Sequence, residues 1–203
     1  MVYIKADDGG YYLVRNLPDK TKAANLLAEM NTRIKLFLNH LRNKYSNDRA
    51  ISRLYRYYNE HQISEIVPNS NQTSYSVNKG EQMIFCLRHR DQDNTDHLTD
   101  INTLMFVAIH ELAHLMSFSI GHSPEFWTNM KFLLQEAIKS PYPIYEYVDY
   151  NNKPARYCGI TITETPLTRG SNPPPLTPSL QNQGEQPSPF NPLSAKPGGT
   201  IPP

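Results

Sequence analysis

The sequence predicts an α+β domain with a proline-rich tail, and three observations carry that expectation. Short runs of β-branched and aromatic residues meet at turn-forming pairs. Long stretches repeat apolar residues at three- and four-residue steps. Composition then changes sharply near Pro166. The 203 residues suit one ordinary domain with sequence to spare, so the boundaries read as residues 1–165 for the domain and 166–203 for the tail.

The chain opens with "VYIKA" and "YYLVR" around "DDGG", which is hairpin chemistry. In "LPDKTKAANLLAEMNTRIKLFLNHLRNKY" the positions Ala23, Leu27, Met30, Ile34, Phe37, Leu38 and Leu41 line one helical face, with Asp19 available as N-cap. A shorter helix fits "DRAISRLYRYYNEHQ", where Ile51, Leu54, Tyr55 and Tyr58 share a side. "TSYSVNKGEQMIFCLR" is a second hairpin turning at Lys79 and Gly80, and the polar "HRDQDNTDHLTD" leads into the next helix.

That helix, "INTLMFVAIHELAHLMSF", can be capped by Thr99 or Asp100 and is apolar on several sides, which predicts a central position. His110 and His114 stand one turn apart, so both imidazoles leave the same face and can reach one ion. Glu111 is rotated by about 100° from His110, close enough to touch a water on that ion and badly placed for a third ligand. Such a pattern has a chemical use. Zinc held by neutral imidazoles lowers the pKa of a water it binds to about 7, and an adjacent carboxylate can take the proton during attack on a carbonyl. His122 follows Gly121, where the helix should end and the chain turn back. It is the natural third ligand, although an Asp, a Glu or another His could fill that place. Ser123, Pro124 and Glu125 then start another helix. Burying a glutamate and two histidines in an apolar helix is costly unless they are paired or ligating, which favours a site for one Zn2+ per chain over a satisfied core.

His40, His61, His89 and His97 read as structural or solvated; Phe126 and Trp127 could shape a substrate cleft, but aromatic residues at the start of an amphipathic helix are more often core. "PYPIYEYVDYNNKPARYCGITIT" has strand-like runs around an "NNKP" turn. Its Tyr157 is a candidate oxyanion donor or substrate contact, while packing of Tyr145, Tyr147, Tyr150 and Tyr157 over the helices is the simpler expectation. Cys86 and Cys158, without CxxC spacing, are expected to be buried and reduced.

The net charge of +1 gives no global attraction to nucleic acid or anionic membrane. No signal peptide or membrane span is evident, so a soluble, intracellular protein is expected, not a secreted one. In the tail 11 of 38 residues are proline, too many for a packed core, so it is expected to be disordered; a solvated tether is the simpler expectation, while "PPPLTP" could serve as a polyproline ligand for a partner.

"HELAHLMSFSIGHSPEFW" resembles the zincin metallopeptidases of the WLM and SprT-like groups. Residues 1 to about 165 resemble uncharacterised WLM-like proteins of large DNA viruses. The resemblance implies a compact, minimal gluzincin-like zincin domain in which His110, His114 and His122 bind zinc and Glu111 is the general base. It also implies a protein or peptide substrate and residence in the cytoplasm or nucleus of a host cell. Cellular relatives cleave proteins crosslinked to DNA; DNA association follows here from resemblance alone, because the chain shows no obvious DNA-binding extension and no basic tail. Two functions compete: a zinc endopeptidase, and a non-catalytic zinc-stabilised scaffold that recruits partners through its tail. Glu111 favours the enzyme, since a structural zinc has no need of a carboxylate beside an open coordination position.

Overall fold

The computed structural model describes residues 1–78, 80–89 and 97–168. The expected turn residue Lys79, the middle of the polar segment and the proline-rich tail from residue 169 lie outside the described residues. The architecture is α+β, as the sequence predicts.

Strands β1 (Val2–Lys5) and β2 (Tyr11–Val14) form the first hairpin, with Gly9 in the left-handed region at the turn. Helix α1 (Lys20–Lys44) buries all seven of the positions predicted from its spacing, plus Ala24, Ala28 and Asn31. Asp19 precedes it, yet its carboxylate makes no cap bond. It pairs instead with the guanidinium of Arg88, which is buried and also donates to Glu65 at 2.8 Å. Helix α2 (Arg49–Tyr57) is capped by Asp48, which accepts from the amides of Ala50 and Ile51. Ile51 and Leu54 face inward, but Tyr55 is 40% exposed and carries Arg42 on its ring, so the apolar face is narrower than its spacing suggests.

Strand β3 (Ile63–Glu65) has no counterpart in the sequence reading. Its three residues are all buried, so it shows no alternation, and it is too short to stand out from the polar stretch around it. It unites the two hairpins. With β4 (Ser74–Val77) and β5 (Gln82–Phe85) the sheet has the order β1-β2-β3-β5-β4, parallel across β2-β3 and β3-β5 and antiparallel at both ends. Among the described residues strand β4 is therefore an edge. At the β4-β5 turn Gly80 has φ +103°, and a Cβ there would lie 2.3 Å from the Tyr57 carbonyl oxygen, so the turn can close on the end of α2 only with glycine.

Helix α3 (Ile101–Met116) buries thirteen of its sixteen residues between α1, α2, α4 and β4. Asp100 caps it, accepting from Thr103 at 2.9 Å. It stops earlier than the glycine predicts, at Ser117, whose hydroxyl donates back to the Ala113 carbonyl at 2.7 Å and accepts from Asn129 at 2.9 Å. Helix α4 (Pro124–Lys139) starts as expected, with the Ser123 hydroxyl accepting from the Phe126 amide.

The C-terminal part of the domain differs from expectation in two ways. "NNKP" forms a turn that precedes β6 (Ala155–Tyr157), and the hairpin to β7 (Ile160–Ile162) turns at Cys158 and Gly159, both with positive φ. Such a two-residue turn is the one that matches strand twist, so it displaces the proline turn as the hairpin corner. Cys86 and Cys158, expected to be reduced, form a disulfide. They are 72 residues apart in sequence, but folding brings their Cα atoms to 5.9 Å, a distance that bond can span. Tyr145 and Tyr150 pack on Phe106 of α3 and Tyr157 is buried, while Tyr147 is half exposed.

Candidate metal centre

Helical geometry fixes the first half of the site. His110 and His114 occupy successive turns of α3 with ring centroids 5.0 Å apart, and Glu111 lies between them along the chain. The third imidazole arrives from the loop between α3 and α4. Glu125, in the first turn of α4, reaches back and accepts from the amides of Phe118 and Ser119 and from the Ser119 hydroxyl at 2.6 to 3.0 Å, which cinches that loop. Gly121, with φ +70°, then turns the chain so that His122 faces the helix. A non-glycine residue in that conformation would cost roughly 1–2 kcal/mol.

The outcome is convergence. One ring nitrogen from each of His110, His114 and His122 lies within 4.8 Å of the others, and the Nε2 atoms of His122 and His110 are 3.1 Å apart. Three nitrogens on one tetrahedral zinc, at bonds of about 2.0–2.1 Å, stand roughly 3.3 Å apart, so the His110–His122 pair already has the separation the ion needs and the third nitrogen is within reach by a small side-chain adjustment. His114 Nε2 is buried without a hydrogen-bond partner, a costly state for a polar atom that a metal would relieve. Burial also pushes the histidines toward their neutral, ligating form: His110 falls well below the usual range, helped by the other two rings, His114 falls to about 3, and His122 moves the same way. The residues present fit a zinc ion.

Phe126 forms the floor. Its ring lies 4.3 to 4.9 Å from all three imidazoles and is fully buried, while Trp127 stacks on His122 at 5.7 Å. The sequence reading placed both residues in the core; packing does bury Phe126, but what it packs against is the histidine cluster. The clue in the sequence is its spacing, four residues after His122 at the start of a helix.

Glu111 is almost fully buried, and its carboxylate accepts a hydrogen bond from the Ser74 hydroxyl at 3.0 Å. Burial raises its carboxyl to about 7 in the metal-free protein, against a smaller opposing effect from Ser74. Ser74 is not legible in the sequence, because a serine in a short strand carries no signal of its own. Tyr157 places its hydroxyl on the Thr73 carbonyl at 3.3 Å, the contact expected from the packing role. His61 and His97 are exposed and His40 and His89 partly so; among the described residues only the three site histidines form a cluster able to hold a metal.

The family model of the WLM domain matches residues 9–169, across the whole of this arrangement. The chain belongs to the WLM domain family. That family is metalloprotease-like, which accords with a histidine triad able to hold a metal. Among relatives, Uncharacterized protein R325 of Acanthamoeba polyphaga mimivirus is 35% identical over 167 residues, covering 80% of this chain and 82% of that protein. Uncharacterized protein 042R of Invertebrate iridescent virus 3 is 44% identical over 71 residues, covering 35% of this chain and 42% of that protein. Among solved structures, Wss1 from Saccharomyces cerevisiae is similar with a TM-score of 0.45 at 18% identity, over 63% of this chain and 88% of that one. No helix among the described residues is long and apolar enough to cross a membrane.

Proposed function

We propose that this chain is a zinc-dependent metallopeptidase in which His110, His114 and His122 hold one ion and Glu111 is the general base of a water-mediated hydrolysis. The carrying observation is the convergence of three neutral imidazoles, one with an unpartnered buried nitrogen, beside a buried carboxylate on the same helix. Zinc, when bound, supplies the charge that polarises water and the substrate carbonyl. Glu111 accepts the proton of the attacking water and returns it to the leaving amine. Ser74 holds that carboxylate in place from the edge strand.

Among the described residues strand β4 pairs with β5 alone and touches α3, so an extended peptide adding alongside it would run past the histidine cluster. With its hydroxyl on Thr73, Tyr157 supports this strand. Residues 1–165 form the catalytic domain in this reading, and residues 166–203 a tail available to a partner.

The test is zinc content together with proteolysis of a broad peptide library by wild type, Glu111→Gln and His110→Ala. The reading expects about one zinc in wild type and Glu111→Gln, loss of zinc in His110→Ala, and turnover by wild type alone. Stoichiometric zinc without any Glu111-dependent cleavage would point to the scaffold. Zinc well below half an equivalent that is insensitive to His110→Ala would remove the metal altogether.

A further inference from the structure

The β6-β7 hairpin is bolted to the main sheet at a point that adjoins the residue holding Glu111. The Cys86–Cys158 disulfide joins the residue after β5 to the turn of the hairpin. The amide of Cys86 donates to the Thr73 carbonyl at 2.9 Å, and the phenol of Tyr157, the neighbour of Cys158, donates to the same carbonyl at 3.3 Å. Each half of the disulfide thus brings a donor to Thr73. The next residue is Ser74, whose hydroxyl donates to Glu111. All six residues are buried.

We infer that the Cys86–Cys158 disulfide is a redox clamp on the general base: oxidised, it keeps Tyr157 on Thr73 and Ser74 on Glu111, and reduced, it releases both and slows turnover while zinc stays bound. The inference rests on the proposed peptidase reading for its effect on activity, but the clamp itself is a structural claim.

Two features make the hairpin dependent on its bond. Strands of three residues each are too short to be stable as an isolated pair. Cys158 is also a non-glycine residue at φ +51°, a conformation that persists only where the surroundings enforce it. Closing the bond converts two thiols to one disulfide and passes two electrons and two protons to an acceptor disulfide, which leaves as a dithiol. Opening reverses this: a thiolate of a dithiol reductant attacks one sulfur, and its second thiol resolves the mixed disulfide. Because both cysteines are buried, exchange proceeds through opening of the hairpin.

The experiment uses the full, zinc-loaded chain in three forms: oxidised, reduced with dithiothreitol and desalted, and Cys86→Ser/Cys158→Ser. Amide hydrogen exchange is followed over residues 72–78 and at Cys86, alongside zinc content, kcat and KM on a cleavable peptide. Both open forms are expected to exchange at least tenfold faster at Cys86, with kcat reduced tenfold or more, KM within twofold and zinc unchanged. Reoxidation restores the reduced sample, and Ser74→Ala is slow in both redox states.

Unchanged exchange at Cys86 on reduction overturns the clamp, as does a kcat that stays within twofold, or an activity loss that merely tracks loss of zinc. If the double serine variant does not fold, reduced wild type and Tyr157→Phe, which keeps both cysteines, decide by the same readouts. A wild type that cleaves no peptide contradicts the peptidase reading, and the exchange comparison still decides the clamp.

Discussion

Arg88 offers the sharpest stability prediction. Its guanidinium is 2% exposed and faces two carboxylates: Asp19 at the start of α1 and Glu65 at the end of β3. Glu65 is itself buried, and its other oxygen accepts from the Arg15 amide at 2.6 Å. Arg88→Met keeps an apolar stem but leaves the Glu65 charge inside with that one remaining donor. Removing one partner of a buried pair costs about 3–5 kcal/mol, mostly for the stranded charge. For a chain of this size that is a fall in Tm of roughly 6–20 °C. Replacing Arg88 and Glu65 together by apolar residues should cost less than Arg88→Met alone, because Asp19 is 25% exposed and can turn to water. The assay is urea unfolding of the zinc-loaded protein, run also against pH. The hydrogen bond from Arg88 holds the Asp19 carboxyl below its usual range. Its contribution is therefore complete above the unfolded value of about 3.9 and disappears as pH falls through the lower folded value. Arg88→Met should flatten that acid limb. An Arg88→Met variant within about 1 kcal/mol of wild type would refute the reasoning, since it would mean that Glu65 is not stranded.

Chelation should lower Tm, because zinc at a hundredfold over its Kd adds about 2.7 kcal/mol, or roughly 5–10 °C in a chain of this length. His110→Ala should abolish that zinc-dependent increment in a calorimetric scan. Phe126→Ala removes the ring beneath all three imidazoles and should cost about 3–5 kcal/mol, read by urea unfolding, together with weaker zinc retention in a competition titration. Gly80→Ala must push a methyl against the Tyr57 carbonyl and should destabilise by roughly 2 kcal/mol or more. Gly121→Ala meets nothing within 4 Å and should cost only its backbone strain, about 1–2 kcal/mol by the same measurement.

The parts legible in the sequence were those with a local period or a local cap. The face of α1, the capping residues Asp100 and Ser123, the first hairpin and the pairing of β4 with β5 all follow from neighbours in the chain. The three histidines could be proposed for the same reason: two sit one turn apart and the third follows a glycine. What escaped depends on distant residues meeting. Strand β3 is defined by the neighbours on either side of it, Ser74 matters only because β4 lies against α3, and the disulfide closes across 72 residues. Asp19 stands where a cap residue belongs, and its position alone predicts that role. A buried arginine just beyond β5, distant in sequence, outcompetes the helix amides for its carboxylate, since a charged partner in the interior binds more strongly than a neutral amide near solvent.

The central claim is that the histidine cluster holds zinc and that Glu111 uses it to hydrolyse peptides. Zinc content and peptide cleavage measured together on wild type and Glu111→Gln address it most directly. One zinc in each protein and cleavage by wild type only are the expected results. Equal cleavage by both, or zinc in neither, would contradict it.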